Sequence, residues 1–198
     1  MTPTPRPGVG CSPLGPEFDV VLESAAGGAP WACTRIYEWL AAAVAGYLRA
    51  QGAEEPEDLA SEVFLRVFSS CASFSGNEAQ FRAWVFTIAH SRLIDARRAR
   101  NRTPEICALD HEWPDGEGPT AAGAEEEAMD RAAVTEAHRL LGTLTCDQRD
   151  VLALRLIGQM SVEEVATALQ KPPGAIKALQ RRALATLRRR LESEVARR

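Results

Sequence analysis

The sequence predicts an all-α fold of two small helical domains joined by a flexible acidic linker. Two observations carry this: apolar residues recur at helical spacing in two separate blocks, and no β-type alternation of any length appears. A third is the segment between the blocks, which changes abruptly to acidic, Pro- and Gly-containing sequence. The 198 residues are enough for two such domains. With 45% hydrophobic and 25% charged residues, the chain has ordinary globular composition.

Residues 1–16 begin MTPTPRPGVGCSPLGP, a Pro/Gly-rich tail with no apolar core of signal-peptide length. No run of 18 apolar residues exists, so a membrane span is not expected and the cytoplasm is the default location. The first domain is expected over 17–102. Within it, residues 31–50 place Ile36, Leu40, Val44 and Leu48 four apart on one helical face. A second helix is signalled by Pro56 near its start, with Glu57 and Asp58 suited to the positive end of the helix dipole. Its apolar positions are Leu59, Val63 and Val67, flanked by Phe64 and Phe68. After SGNEAQ breaks the pattern, a third helix carries Phe81, Val85, Ile88 and Ala89 toward a core, with Trp84 at the edge of the stripe. Arg92 and Asp95, three apart, are read as an intrahelical ion pair.

The linker is placed at 103–133. From 103 to 136 there are ten acids against Arg131, a local charge of −9, so the net −4 of the whole chain conceals two basic surfaces. Residues 81–102 hold six arginines against Asp95, giving +5, and residues 174–198 hold eight Lys/Arg against Glu192 and Glu194, giving +6.

The second domain, 134–198, contains three helix signals in close succession. Thr145 with Gln148 and Ser161 with Glu164 each stand at capping-box spacing, and Pro173 is suited to a first helical position. The last helix is expected to bury Ile176, Leu179, Ala183, Leu187 and Leu191 and to expose Lys177, Arg181, Arg182 and Arg188. Two short helices joined by a tight turn, the second rich in cations, match a helix-turn-helix whose second helix lies in the DNA major groove. Gln180 and Arg181 are of the types that read adenine and guanine edges.

The five cysteines, Cys11, Cys33, Cys71, Cys107 and Cys146, show no CxxC, and their odd number argues against a complete set of intramolecular disulfides. They read as small apolar fillers. Cys107 and His111 stand four apart like half of a metal site, but no second pair lies near in sequence, so no metal or other cofactor is expected. His90 has no recognisable nucleophile or metal partner, and Gly-rich phosphate loops, HExxH and GxSxG are absent. The chain reads as a binding protein, not an enzyme. Basic residues beside aromatics in 81–102 suit single-stranded nucleic acid, although Phe81 and Trp84 at helical spacing are better read as core.

Residues 56–102, PEDLASEVFLRVFSSCASFSGNEAQFRAWVFTIAHSRLIDARRARNR, resemble region 2 of the extracytoplasmic-function (ECF, group IV) sigma factors of the sigma-70 family. Residues 140–191, LLGTLTCDQRDVLALRLIGQMSVEEVATALQKPPGAIKALQRRALATLRRRL, resemble their region 4. The resemblance implies a protein that binds core RNA polymerase and promoter DNA, directs transcription initiation, and answers to an anti-sigma factor. It places Asp58, Glu62, Phe64 and Arg66 against the polymerase clamp. It places Ser75, Asn77, Arg82, His90, Arg97 and Arg98 on the melted minus-ten strand, where a flipped base is captured. Lys177, Gln180, Arg181 and Arg182 fall on the minus-35 element. The acidic linker would thread toward the RNA exit path, either mimicking nucleic acid or serving as a solvated tether. The chain departs from the family pattern at Pro172, where a capping side chain is common, and at Ala178 and Leu179, where small polar and basic residues are usual. Rival readings are a sigma-like mimic that binds an anti-sigma factor without DNA, a helix-turn-helix regulator outside the polymerase holoenzyme, and an enzyme with a helical DNA-binding tail.

Overall fold

A computed structural model describes residues 14–100, 136, 137 and 139–197. Among these there is no strand; the chain is helical, as expected. The tail before Leu14 and nearly all of the linker, with Cys107 and His111, lie outside the described residues.

The first bundle contains α1 (Phe18–Ala26), α2 (Pro30–Ala50), α3 (Pro56–Ser70) and α4 (Glu78–Arg100). α1 goes beyond the helices expected from the sequence. It follows a 3₁₀ turn at Gly15–Glu17 and buries Phe18, Val21 and Ala25, a stripe too narrow to stand out in so short a segment. Gly28, at φ 79°, lets the chain reverse sharply, and Pro30 then opens α2 at its first turn. α2 buries Ile36, Leu40, Val44 and Leu48 as predicted, together with Trp39 and Tyr47. Gly52, at φ 75°, ends it by folding the Ala53 amide back onto the Leu48 carbonyl at 3.0 Å. α3 begins at Pro56, and α4 buries Phe81, Val85 and Ala89, with Ile88 only half-buried and Phe86 also inside.

Phe81 is the centre of this bundle. Its ring meets Phe18 edge-on at 5.8 Å, stacks near Trp39 at 6.2 Å, and touches Phe74 and Trp84 at 5.1 and 5.5 Å. One side chain thus ties α1, α2 and α4 together through aromatic geometry that adds to its burial.

The second bundle contains α5 (Cys146–Leu156), α6 (Val162–Ala168) and α7 (Pro173–Val195). Both predicted capping boxes form, Thr145 with Gln148 and Ser161 with Glu164, and Pro173 is the first residue of α7. A small cluster of Leu144, Leu152 and Ala183, with Leu141 and Leu187 at its margin, packs α5 onto α7. The remaining apolar side chains of this bundle, Val151, Ala153, Leu154, Met160, Val165, Ala166 and Ile176, belong to the same buried cluster as the core of the first. Two sequence domains therefore share one hydrophobic core.

Three expectations are corrected. Leu191 is 46% exposed, because α7 outruns the helices it packs on and its last turns have no apolar partner. Asp95 pairs with Arg98, at 3.8 Å, instead of the predicted Arg92. Cys146, half-buried at the first position of α5, is disulfide-bonded and so is no core filler. Cys33 and Cys71 are free, and Cys71 is buried as a filler would be. Burial raises its thiol pKa, and neighbouring Cys33 adds to the shift.

Candidate nucleic-acid and polymerase interfaces

α3 presents two chemically distinct sides because its apolar residues recur every three or four positions. Asp58, Glu62 and Arg66 stand on the exposed side with Leu65, while Phe64 is buried and edge-on to Tyr37 at 4.9 Å. The predicted polymerase-facing set is thereby divided: three residues are available to a partner, and Phe64 holds the helix in place. Between α3 and α4 lies an acidic cleft lined by Glu54, Glu55, Asp58, Glu62 and Asp95, with Arg92 as its cation.

The loop before α4 is closely specified. Asn77 and Gln80 cap each other reciprocally: the Gln80 amide donates to Asn77 Oδ1 and the Asn77 amide to Gln80 Oε1, both at 2.9 Å. A Cβ at Gly76 would lie 2.7 Å from Gln80 Oε1 and 3.0 Å from the Phe74 ring, so a side chain there would have to displace the Gln80 amide from its capping bond. Ser75 is exposed, and the Asn77 side chain is engaged in capping. Glu78, which the sequence did not single out, accepts the Leu14 amide on one carboxylate oxygen at 2.8 Å and the Gly15 amide on the other at 3.1 Å. The segment entering α1 is thus anchored at the base of this loop.

Along α4 the predicted strand-binding residues separate into engaged and free groups. Arg82 donates to Gln159 Oε1 at 2.5 Å and lies over the Trp39 ring, 5.5 Å from its centroid. His90 Nδ1 is 2.9 Å from the Tyr47 hydroxyl. Burial, with help from the positive charge of Arg97, lowers the His90 pKa to about 4, so the ring is neutral at physiological pH. Arg97 donates to the Gln51 carbonyl at 2.5 Å. Arg98 is exposed beside Asp95. In the second bundle, Asp150 is buried with its Oδ1 unpaired. Burial raises its pKa to about 6, against the opposing pull of Arg97. The neighbouring Arg149 is 2% exposed and donates to the Leu141 and Leu144 carbonyls at 3.1 and 3.2 Å, fixing α5 to the chain that leads into it.

On α7, Lys177, Arg181 and Arg182 are exposed and Gln180 is half-buried. Ile176 and Ala183 on the opposite side are fully buried, which fixes the helix's rotation and turns the cations outward. The turn into α7 is made by Gln170 at φ 52° and by the Lys171 amide bonding to the Ala166 carbonyl at 3.0 Å. The Pro172 carbonyl accepts the Ala175 and Ile176 amides at 2.9 and 3.2 Å. The helix starts on backbone bonds where a capping side chain was expected from the family. Its exposed cations form a contiguous surface suited to phosphates and base edges.

Residues 34–103 match the model of sigma-70 region 2, and residues 140–189 match that of sigma-70 region 4. The chain is 31% identical to the ECF RNA polymerase sigma factor SigD of Mycobacterium tuberculosis H37Rv over 182 residues, covering 88% of this chain and 84% of the relative. The chain belongs to the ECF family of RNA polymerase sigma factors. This sigma factor accordingly works with RNA polymerase, directing promoter recognition and transcription initiation, and is not an enzyme. A second relative, the ECF sigma factor SigX of Bacillus subtilis 168, is 30% identical over 139 residues, with 70% of this chain and 71% of that one covered. The helical arrangement is similar to CnrH in its complex with the cytosolic domain of CnrY. The TM-score is 0.64 at 21% identity, over 88% of this chain and 96% of CnrH, and that likeness concerns the fold. No helix among the described residues is long and apolar enough to cross a membrane.

The sequence reading missed Tyr47 as the partner of His90, Glu78 as the anchor of the entering chain, Gln159 as the acceptor of Arg82 and Gln51 as the acceptor of Arg97. Periodicity assigns side chains to faces of a helix; it does not name which distant helix lies opposite.

Proposed function

We propose that this sigma factor meets the polymerase clamp through the exposed side of α3, with Asp58, Glu62 and Arg66 in contact and Phe64 supporting the helix from within. The acidic rim of the cleft between α3 and α4 supports this reading, since it offers a basic partner a concentrated negative surface. Ser75, Arg82, His90, Arg97 and Arg98 serve the melted minus-ten strand. Asn77 shapes the capture loop by capping α4, and Gly76 lets that loop pass close to Gln80. Lys177, Gln180, Arg181 and Arg182 read the minus-35 element from the major groove.

The single observation that carries the reading is the rotation of α7: burial of Ile176 and Ala183 leaves Lys177, Arg181 and Arg182 together on the solvent side. The protein acts in the cytoplasm, where the polymerase is, and an anti-sigma factor is its regulatory partner. Run-off transcription with core polymerase on genomic fragments tests the assignment. Promoter-specific initiation that falls on joint Arg181→Ala and Arg182→Ala substitution supports it. Unchanged promoter binding by that double variant in holoenzyme would show that another face reads the DNA.

A further inference from the structure

We infer that Glu78 is a positioning residue for capture of the minus-ten base, and that α1 is a brace which holds the capture loop in its binding shape. This rests on the assignment of residues 75–80 to base capture made above.

The loop is gripped at both ends by the same N-terminal unit. On its leading side the chain leaves the 3₁₀ turn Cys71–Ser73, against which α1 packs, and Phe74 sets its ring edge-on to Phe81 at 5.1 Å. Phe18 of α1 meets that same Phe81 ring at 5.8 Å. On its trailing side the half-buried Glu78 commits one carboxylate oxygen to the Leu14 amide and the other to the Gly15 amide, at 2.8 and 3.1 Å. Between these two fixed points Ser75, Gly76 and Asn77 are exposed. A loop this short gains affinity from having its shape set before the strand arrives. The match to sigma-70 region 2 begins at residue 34, so α1 and the turn before it lie outside the segment that this chain shares with the family model.

The charge of Glu78 makes a positioning role separable from an electrostatic one. A carboxylate beside a DNA strand repels phosphate, so if charge were its only effect, removing it would tighten binding. A brace predicts the reverse, because loss of the two amide bonds frees α1 from the start of α4 and leaves the loop to be ordered at the expense of strand affinity.

The test uses holoenzyme formed with the full chain and a labelled non-template strand from a promoter identified by run-off transcription, each base of the strand being replaced in turn by an abasic site. Wild type is expected to lose about tenfold in affinity at the captured position. Glu78→Ala is expected to bind the intact strand about fivefold more weakly, and to lose less than wild type when the captured base is removed, because both changes act through one pocket. Glu78→Gln, which keeps one carbonyl acceptor, is expected to fall between. Affinity for duplex carrying only the minus-35 element is expected to be equal in all three. Intact-strand affinity in Glu78→Ala equal to or above wild type, or an abasic penalty as large as the wild type's, would overturn the proposal. So would a parallel fall in minus-35 binding, which marks a general loss of structure. A wild type indifferent to base removal at every position would instead remove the capture assignment itself, a separate outcome that takes this proposal with it.

Discussion

The Tyr47 hydroxyl and His90 Nδ1 stand 2.9 Å apart, joining the end of α2 to the middle of α4. Burial, reinforced by the charge of Asp150, raises the Tyr47 pKa well above its ordinary value, so the phenol stays protonated and donates. The neutral imidazole accepts at Nδ1, which assigns its proton to Nε2. Tyr47→Phe removes the donor and leaves a largely buried acceptor unpaired. It is expected to cost about 1–2 kcal/mol and to lower the melting temperature by several degrees, measured by circular dichroism.

Asp150 and His90 make opposing contributions to the pH dependence of stability. Asp150 has a folded pKa of about 6, above the ordinary carboxyl value, so the folded chain gains stability as pH falls from about 6 toward 4. His90, at about 4, lies below the ordinary imidazole value, so stability is lost as pH falls from about 6.5 to 4. In the wild type the two largely offset each other. Asp150→Asn removes the gain and is expected to leave a net loss on the order of 2–3 kcal/mol across that window. Denaturant titrations at pH 7 and pH 4.5 check this, and a pH-independent variant would contradict it.

Glu78 holds two backbone amides at once, and charged acceptors make the stronger hydrogen bonds. Glu78→Ala is expected to accelerate amide exchange through 14–26 while the rest of the first bundle keeps its protection. Its cost in global stability is expected to be about 1–3 kcal/mol. Glu78→Gln, which retains one carbonyl acceptor, should fall between. Equal exchange in all three proteins would show that Phe18 and Val21 hold α1 without help.

Ser161 caps a helix of seven residues, too short to persist on propensity. Ser161→Ala is expected to cost about 1 kcal/mol, visible as a lower midpoint in denaturant with unchanged slope.

Arg181 and Arg182 are exposed, and the Arg182 Nε bonds to the Ala178 carbonyl of its own helix. Replacing both by Ala is expected to leave the melting temperature within a degree or two. The slope of log affinity against log salt on duplex minus-35 DNA should fall by up to about 2. Filter binding across a salt series measures it.

Much of this architecture was legible because it rests on local chemistry. Pro56 and Pro173 mark helix starts through a fixed φ and a missing N–H, and the Thr145 and Ser161 boxes are decided within four residues. The outward cations of α7 follow from the spacing of Ile176 and Ala183. What was not legible depends on distance through space. Nothing near Val151, Met160 or Ile176 in sequence says that they share a core with Phe86, and nothing near Arg82 names Gln159. Leu191 fits the apolar stripe of its helix yet stays in water, because periodicity does not report where a neighbouring helix stops. Asp95 has an arginine three positions away on either side, and spacing alone does not choose between them.

The shared core limits how freely this protein's parts can be exchanged. Two sequence modules with a linker between them look interchangeable, as if region 4 could be grafted from a relative to change promoter choice. Yet Val151, Leu154, Met160 and Ile176 share the core of the first bundle, and Gly158, where a Cβ would stand 2.6 Å from the Leu154 carbonyl oxygen, sits against Phe86. A graft that carries a new DNA-reading helix on a foreign α5 and turn would inherit a mismatched seam. Only the outward face of α7, with Lys177, Arg181 and Arg182, could be exchanged freely, because Ile176 on its inner side belongs to the shared core.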